Sequence, residues 1–271
     1  MITLYKYRPF NEFLKPIIKS QKIFFPARAK LNDPEDLKVN LINDVDEDIY
    51  RNFLLQRARQ ELWPRQRLRY ELKKCLTAQG LSKLAIKKIE NTQRVMQNYL
   101  DTLGILSLTK AKDSPELWKE YADEGKGVCI VFHLPEKNEY LFEVKYEDQR
   151  PQLLLSKLML SPDAESEMMK VLYTKTKAKF EHEAEWRYFL KNGNSEFPFI
   201  GAVESIILGK NMPTKHKETI QGWIADAPTP IRVIIYKFGG ITRAVGKRRE
   251  KPRFQGDAQR EARHNRVLGE L

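Results

Sequence analysis

Cysteine is nearly absent. The 271 residues hold only Cys75 and Cys129, too few for a disulfide framework and in keeping with a reducing cytoplasm. Each reads as a small core residue rather than a nucleophile. Histidine is also scarce: His133, His182, His216 and His264 are scattered. With two distant cysteines they make no zinc-like cluster, so no metal is expected. No apolar run approaches the roughly 20 residues that cross a bilayer. The opening MITLYKYRPF lacks the charged, then apolar, then small order of an export signal. The expected location is cytoplasmic, with no membrane partner. Glycine-rich signatures are missing too. No GxGxxG follows a strand, and GGITRAVGKR has the wrong spacing for a phosphate loop, with no Ser or Thr after its Lys. No GxSxG elbow occurs. These absences disfavour ordinary kinase, dehydrogenase, zinc-hydrolase and serine-hydrolase chemistry.

What is plentiful is positive charge, and it is unevenly placed. The net charge is +12, and residues 51–100 carry twelve Lys or Arg against three acids. Residues 243–271 carry nine against four. Such blocks attract polyanions, so an anionic macromolecule is the expected partner, nucleic acid before protein. The plainer reading is a solubilising face on a helical insert plus a polar tail.

Along the chain, ITLYKYR (2–8), QKIFFPA (21–27), GILSLTK (104–110), GVCIVFHL (127–134), YLFEVKYE (140–147), EAEWRYFL, AVESIILG (202–209) and IRVIIYKFGG read as strands. FNEFLKPIIKS reads as a short helix interrupted at Pro16. LNDPED (31–36) is turn chemistry. Leucines recur at helical spacing between about 46 and 100, broken at Pro64 and Gly80, which predicts a basic helical insertion. DSPELWKEYADEG carries an N-cap at Ser114, Pro115 at the first helical position and a stop at Gly125. Residues 151–180 read as largely helical. MPTKHKETIQGWIAD reads as a capped helix. This order predicts a mixed α+β sheet in one domain, 1–242, followed by a basic tail, 243–271.

Four islands hold polar residues in unusual company: YKYR (5–8), LNDPED, SLTKAKDSPELWKEYAD (107–123) and EAEWR (183–187). Each has a bland account. Tyr7, Trp118 and Tyr121 suit a core, Asn32 and Asp33 a turn, Ser107 and Thr109 a strand, and Glu183 and Glu185 a solvated strand face.

Taken together and in order, with GVCIVF (127–132) and VESIILG (203–209), these islands resemble the bacterial family known as domain of unknown function 2971. The resemblance covers residues 4–36 and 104–210. It names a family and no reaction. The layout is also similar to the ADP-ribosyltransferase fold, which implies a largely antiparallel split sheet with flanking helices. In that resemblance Tyr7, Lys6 and Arg8 form a polar NAD anchor on the first strand. Ser107 and Thr109 match the middle motif, which departs from the pattern at its third residue. Glu183 and Glu185 match the catalytic Glu-x-Glu. The resemblance implies NAD as substrate. Glu185 would stabilise the charge developing at the ribose, and Glu183 would orient or deprotonate the acceptor. Arg8 would bind the pyrophosphate or the nicotinamide ribose, and Tyr121 or Trp118 would stack on nicotinamide. Asn32, Asp33 and Arg187 are candidates for positioning substrate, although a salt bridge from Arg187 to Glu185 is the simpler account.

Three functions stay open. The first is an NAD-consuming ADP-ribosyltransferase, acting as a toxin or anti-phage effector on a nucleic acid or nucleic-acid-associated target, with a neutralising antitoxin among its partners. The second is a metal-dependent nuclease built on Asp33, Glu35, Asp36 and Lys38. The third is a non-catalytic nucleic-acid-binding module acting through residues 51–100.

Overall fold

The computed structural model describes residues 1–31, 37, 39–149, 152–176, 180–199, 201–237 and 240–242. LNDPED beyond Leu31 and the basic tail lie outside the described residues. The framework is a sheet of eight strands: β1 (Ile2–Arg8), β2 (Gly104–Thr109), β3 (Val128–Leu134), β4 (Leu141–Glu143), β5 (Glu185–Leu190), β6 (Ala202–Leu208), β7 (Arg232–Lys237) and β8 (Gly240–Thr242). Their order is β8-β7-β6-β3-β1-β2-β5-β4. Every neighbouring pair is antiparallel except β6 and β7, which are parallel. Among the described residues eight α-helices flank this sheet: α1 (Leu14–Lys19), α2 (Glu47–Gln60), α3 (Arg65–Cys75), α4 (Lys83–Thr102), α5 (Pro115–Tyr121), α6 (Leu155–Leu160), α7 (Ala164–Leu172) and α8 (Thr214–Ala225). The fold is therefore the mixed α+β class read from the sequence, with a mostly antiparallel sheet.

The sheet is split. β1 pairs with β3 along its whole length, from Ile2 against Leu134 to Arg8 against Val128. β2 pairs with β5 just as fully, from Glu185 against Thr109 to Leu190 against Gly104. Between β1 and β2 only Tyr5 and Thr109 are in register. The gap has a local cause. At the start of β2, the segment after Lys22–Phe25 takes over the edge: the Ile105 N–H donates to the Pro26 carbonyl at 2.9 Å, and Ala27 bridges Gly104. β1 is thereby held off, and Lys6 spans the opening by donating from Nζ to the Ser107 carbonyl at 2.7 Å. That bond satisfies a carbonyl that the missing ladder would otherwise orphan.

Both faces of the sheet are covered. On one, Leu4, Ile130, Phe132 and Ile206 pack with Leu14, Ile17 and Ile18 of α1 and Ile220 of α8. On the other, Leu117 and Trp118 of α5 pack on Tyr7, Cys129 and Ile207. The Ser114 side chain accepts from the Leu117 N–H, as its N-cap position requires. The insertion, α2 to α4, forms a third cluster with α6 and α7 against Ile105 and Phe189.

Several expected elements differ. α1 is not interrupted at Pro16 but begins at Leu14, so the proline falls in the first turn, where an N–H has no helical partner. YLFEVKYE is not one strand. It breaks at Val144, whose N–H donates to the Glu185 carbonyl at 2.9 Å; Leu141–Glu143 stays in the main sheet, and Lys145–Glu147 pairs in parallel with Thr174–Thr176. Residues 174–176 are thus a strand inside a region read as helical, as two β-branched threonines favour. Ser195–Pro198, not anticipated, pairs with Lys22–Phe25. EAEWRYFL begins its strand only at Glu185: Glu183 closes a 3-10 turn, and Ala184 turns the chain at φ 42°, ψ 50°.

Candidate active site

A cleft of about 740 Å³ opens where the sheet divides. This is within the roughly 300–1,000 Å³ typical of small-molecule sites. Eight of the residues singled out from the sequence line it: Lys6, Tyr7, Arg8, Ser107, Thr109, Tyr121, Glu183 and Glu185. Three distant stretches of chain converge because β1, β2 and β5 are neighbours in the sheet. In the strands themselves, Ser107 lies opposite Arg187 and Thr109 opposite Glu185.

The two carboxylates are buried and share a counter-ion. Lys175 Nζ is 2.7 Å from an oxygen of Glu183 and 2.7 Å from an oxygen of Glu185. Arg187 grips Glu185 from behind, Nε to Oε1 at 3.0 Å and Nη2 to Oε2 at 3.2 Å, and donates from Nη1 to the Leu172 carbonyl at 2.8 Å. Tyr121 donates its hydroxyl to Glu183 Oε1 at 2.5 Å. The Thr109 hydroxyl donates to the Glu183 carbonyl at 2.5 Å and accepts from the Ala111 N–H at 2.8 Å. The Glu185 N–H donates to the Tyr146 hydroxyl at 2.9 Å. The short parallel pair of strands therefore supplies two supports, Tyr146 and Lys175, to the carboxylate end of the cleft.

Burial alone would raise the Glu185 pKa. The charges of Arg187 and Lys175 and their hydrogen bonds overcome it and hold the carboxyl at about 2. Burial, with the bond to Glu183, raises Tyr121 well above the usual phenol range, so it stays a protonated donor. The opposite wall is cationic. Arg8 is lowered by burial to about 10 and keeps its charge at neutral pH. Lys6 is lowered to about 7 by burial and then by Arg8, against the opposing pull of Glu185. The cleft thus carries the fixed charge of Arg8 and the titrating amine of Lys6 on one side and a braced pair of carboxylates on the other.

One expected assignment is corrected, and for Arg187 the simpler of its two accounts holds. Trp118 does not line this cleft. On α5, Leu117 and Tyr121 are four residues apart and face it together, which turns Trp118 onto the core. There it packs edge-on against Tyr7, with centroids 5.1 Å apart, and borders a separate hollow of about 280 Å³. It cannot stack on a ligand in the cleft. Arg187 is fully buried, at 0% exposure, and does not line the cleft, so it braces Glu185 instead of meeting substrate. Two further residues carry their polar groups elsewhere. The Tyr7 hydroxyl lies 3.0 and 2.6 Å from the carbonyls of Ala111 and Lys112, and the Thr109 hydroxyl serves Glu183. Asn32 and Asp33 lie outside the described residues, as do Glu35, Asp36 and Lys38. Among the described residues no group of three His, Cys, Asp or Glu could hold a metal ion.

Lys175 and Tyr146 escaped the sequence reading. The alternation Thr174-Lys175-Thr176 is the signal that could have found the first; nothing local marks the second. The sequence marks Lys6 only as part of the anchor, because its span across the split depends on pairing between strands about a hundred residues apart.

A family model described as protein of unknown function (DUF2971) matches residues 117–188. The expected family resemblance is thus found over a stretch that includes LWKEYA, GVCIVF and EAEWR. No curated protein and no solved structure matches the chain.

Proposed function

We propose that the protein consumes NAD as an ADP-ribosyltransferase, cleaving the bond between nicotinamide and ribose in the split of the sheet and passing the ADP-ribosyl group to an acceptor on a nucleic acid. The observation that carries the reading is the cleft's polarity: Lys6 and Arg8 line one side and two buried carboxylates the other, across a gap between strands. Arg8 and Lys6 would take the pyrophosphate, where forked and point donors suit anionic oxygens. Cleavage at the anomeric carbon passes through an oxocarbenium-like state, as in glycoside hydrolysis. Glu185, held ionised by Arg187 and Lys175, offers a fixed negative charge that favours this state over the ground state. Glu183 would accept the proton from the attacking acceptor atom, with Tyr121 and Lys175 fixing its two oxygens. The balance is NAD plus acceptor giving ADP-ribosyl-acceptor, nicotinamide and a proton.

Nicotinamide release by the purified protein, with and without RNA and DNA, tests this reading. Wild type should release nicotinamide and leave an ADP-ribosyl adduct on one nucleic acid. Glu183→Gln should slow release by roughly a hundredfold or more, the usual range for general base loss. No release under any of these conditions would dispose of the proposal.

A further inference from the structure

We propose that the solvent face of α3 is a docking surface for single-stranded nucleic acid. This deepens the preceding reading, on which it rests for its purpose, by naming where the acceptor is held; it can be tested without NAD. α3, RQRLRYELKKC, buries Cys75 and half-buries Leu68, Glu71 and Leu72. At 100° per residue these four occupy one side of the helix, and Arg69, Lys73, Gln66, Tyr70 and Lys74 fan across the other. All five are exposed.

Two features separate this face from an ordinary solubilising one. The first is charge of one sign. The helix has five cations and a single acid, Glu71, which is turned toward Lys88 of α4 at 3.3 Å. Among the described residues Arg65, Arg69, Lys73 and Lys74 have no carboxylate within ion-pair distance, and Arg67 has only Glu61 at 3.8 Å. Solubilising faces usually intersperse both signs, whereas unneutralised cations on one helix face suit a phosphate backbone.

The second is aromatic and apolar surface set among those cations. Tyr70 is 60% exposed in the middle of the face, with Lys74 Nζ 5.4 Å from its ring. At the corner before the helix, Trp63 lies under the Arg67 guanidinium at 4.1 Å. Beside it Leu62 is 87% exposed and held at φ 53°, so its side chain stands out from the turn between α2 and α3. A duplex offers phosphates but keeps its bases stacked inside. Unpaired bases present faces on which a tyrosine can stack, and interleaved cations and aromatics are how single strands are held.

The test is fluorescence anisotropy with a labelled single-stranded oligonucleotide, its duplex, and vesicles containing anionic lipid, at about 50 and about 200 mM salt. The proposal expects tighter binding to the single strand than to the duplex. Tyr70→Ala should weaken single-strand binding roughly 5- to 100-fold and leave duplex binding unchanged. Arg69→Glu with Lys73→Glu should weaken both by at least about tenfold and flatten the salt dependence. These side chains are exposed, and an unchanged thermal melt checks that the fold is retained. Equal affinity for both nucleic acids with no effect of Tyr70→Ala, tighter binding to vesicles than to the oligonucleotide, or no binding at low salt would each overturn it. Nicotinamide release scored in parallel separates the two proposals. Release without oligonucleotide binding sinks only the docking surface, and binding without release sinks only the transferase reading.

Discussion

Replacing Lys6 with methionine keeps the length of the side chain and removes its charge, so it isolates what that ammonium costs the fold. The group keeps part of its surface on the cleft but is otherwise surrounded by protein, and its pKa falls to about 7. In the unfolded chain lysine titrates near 10.4. Below pH 7 both states are protonated, and the folded state carries the full cost of a poorly hydrated charge, on the order of 4–5 kcal/mol. Methionine removes that cost but leaves the Ser107 carbonyl without its donor, which returns about 1–3 kcal/mol. At neutral pH the variant should therefore be more stable than wild type by about 1–3 kcal/mol. The pH dependence is the sharper readout. Above pH 7 the folded protein gives up the proton while the unfolded chain keeps it, so wild-type stability rises with pH, by at most about 1.4 kcal/mol per unit. The variant lacks this rise. Urea unfolding of both proteins should show the variant losing about 2 kcal/mol relative to wild type between about pH 7 and about pH 9. Parallel curves would mean that Lys6 is an ordinarily hydrated lysine and that the split is not bridged as described.

Glu185→Gln removes one carboxylate partner of a fully buried guanidinium, and it should destabilise the protein by about 3–5 kcal/mol in denaturant unfolding, in addition to any loss of turnover. Because the folded carboxyl titrates at about 2, wild type should hold the stabilisation from Glu185 at neutral pH and lose it as pH falls from about 4.3 through 2. The contribution is roughly 3 kcal/mol, and an acid unfolding series of the variant should be shallower by that amount. Gly127→Ala would place a Cβ 2.1 Å from the Arg8 carbonyl oxygen and 3.0 Å from that of Ala122. Both obstacles are backbone, so the end of β1 must shift; a loss of about 1–3 kcal/mol and weaker binding of any ligand held by Arg8 should follow.

The parts of the fold written in local chemistry could be read directly. VCIVFHL is short, rich in β-branched and aromatic residues and bounded by Gly127 and Pro135, which reads as a buried strand, and SPELW announces the start of α5 by its cap and proline. ITLYKYR and GILSLT follow the same logic. Residues whose role depends on distant pairing could not be placed. Lys175 sits in a lysine-rich stretch that resembles helix by composition, and its strand exists because Lys145–Glu147 offers an edge. Trp118 and Tyr121 lie on the same short helix, and which of them meets the cleft is decided by how α5 sits on β1 and β3. The pairing of Glu183 with Glu185 was anticipated from strand alternation but arises otherwise. A left-handed turn at Ala184 brings Glu183 back to the same lysine. The bracing role of Arg187 was legible because a guanidinium two residues along a strand shares a face with the carboxylate.

The most direct test of the cleft as an NAD site is a crystal structure of the protein with an uncleavable NAD analogue. The account expects the pyrophosphate against Arg8 and Lys6 and the nicotinamide ribose within hydrogen-bond distance of Glu185. An analogue bound elsewhere, or a cleft that stays empty at saturating concentration, would contradict it.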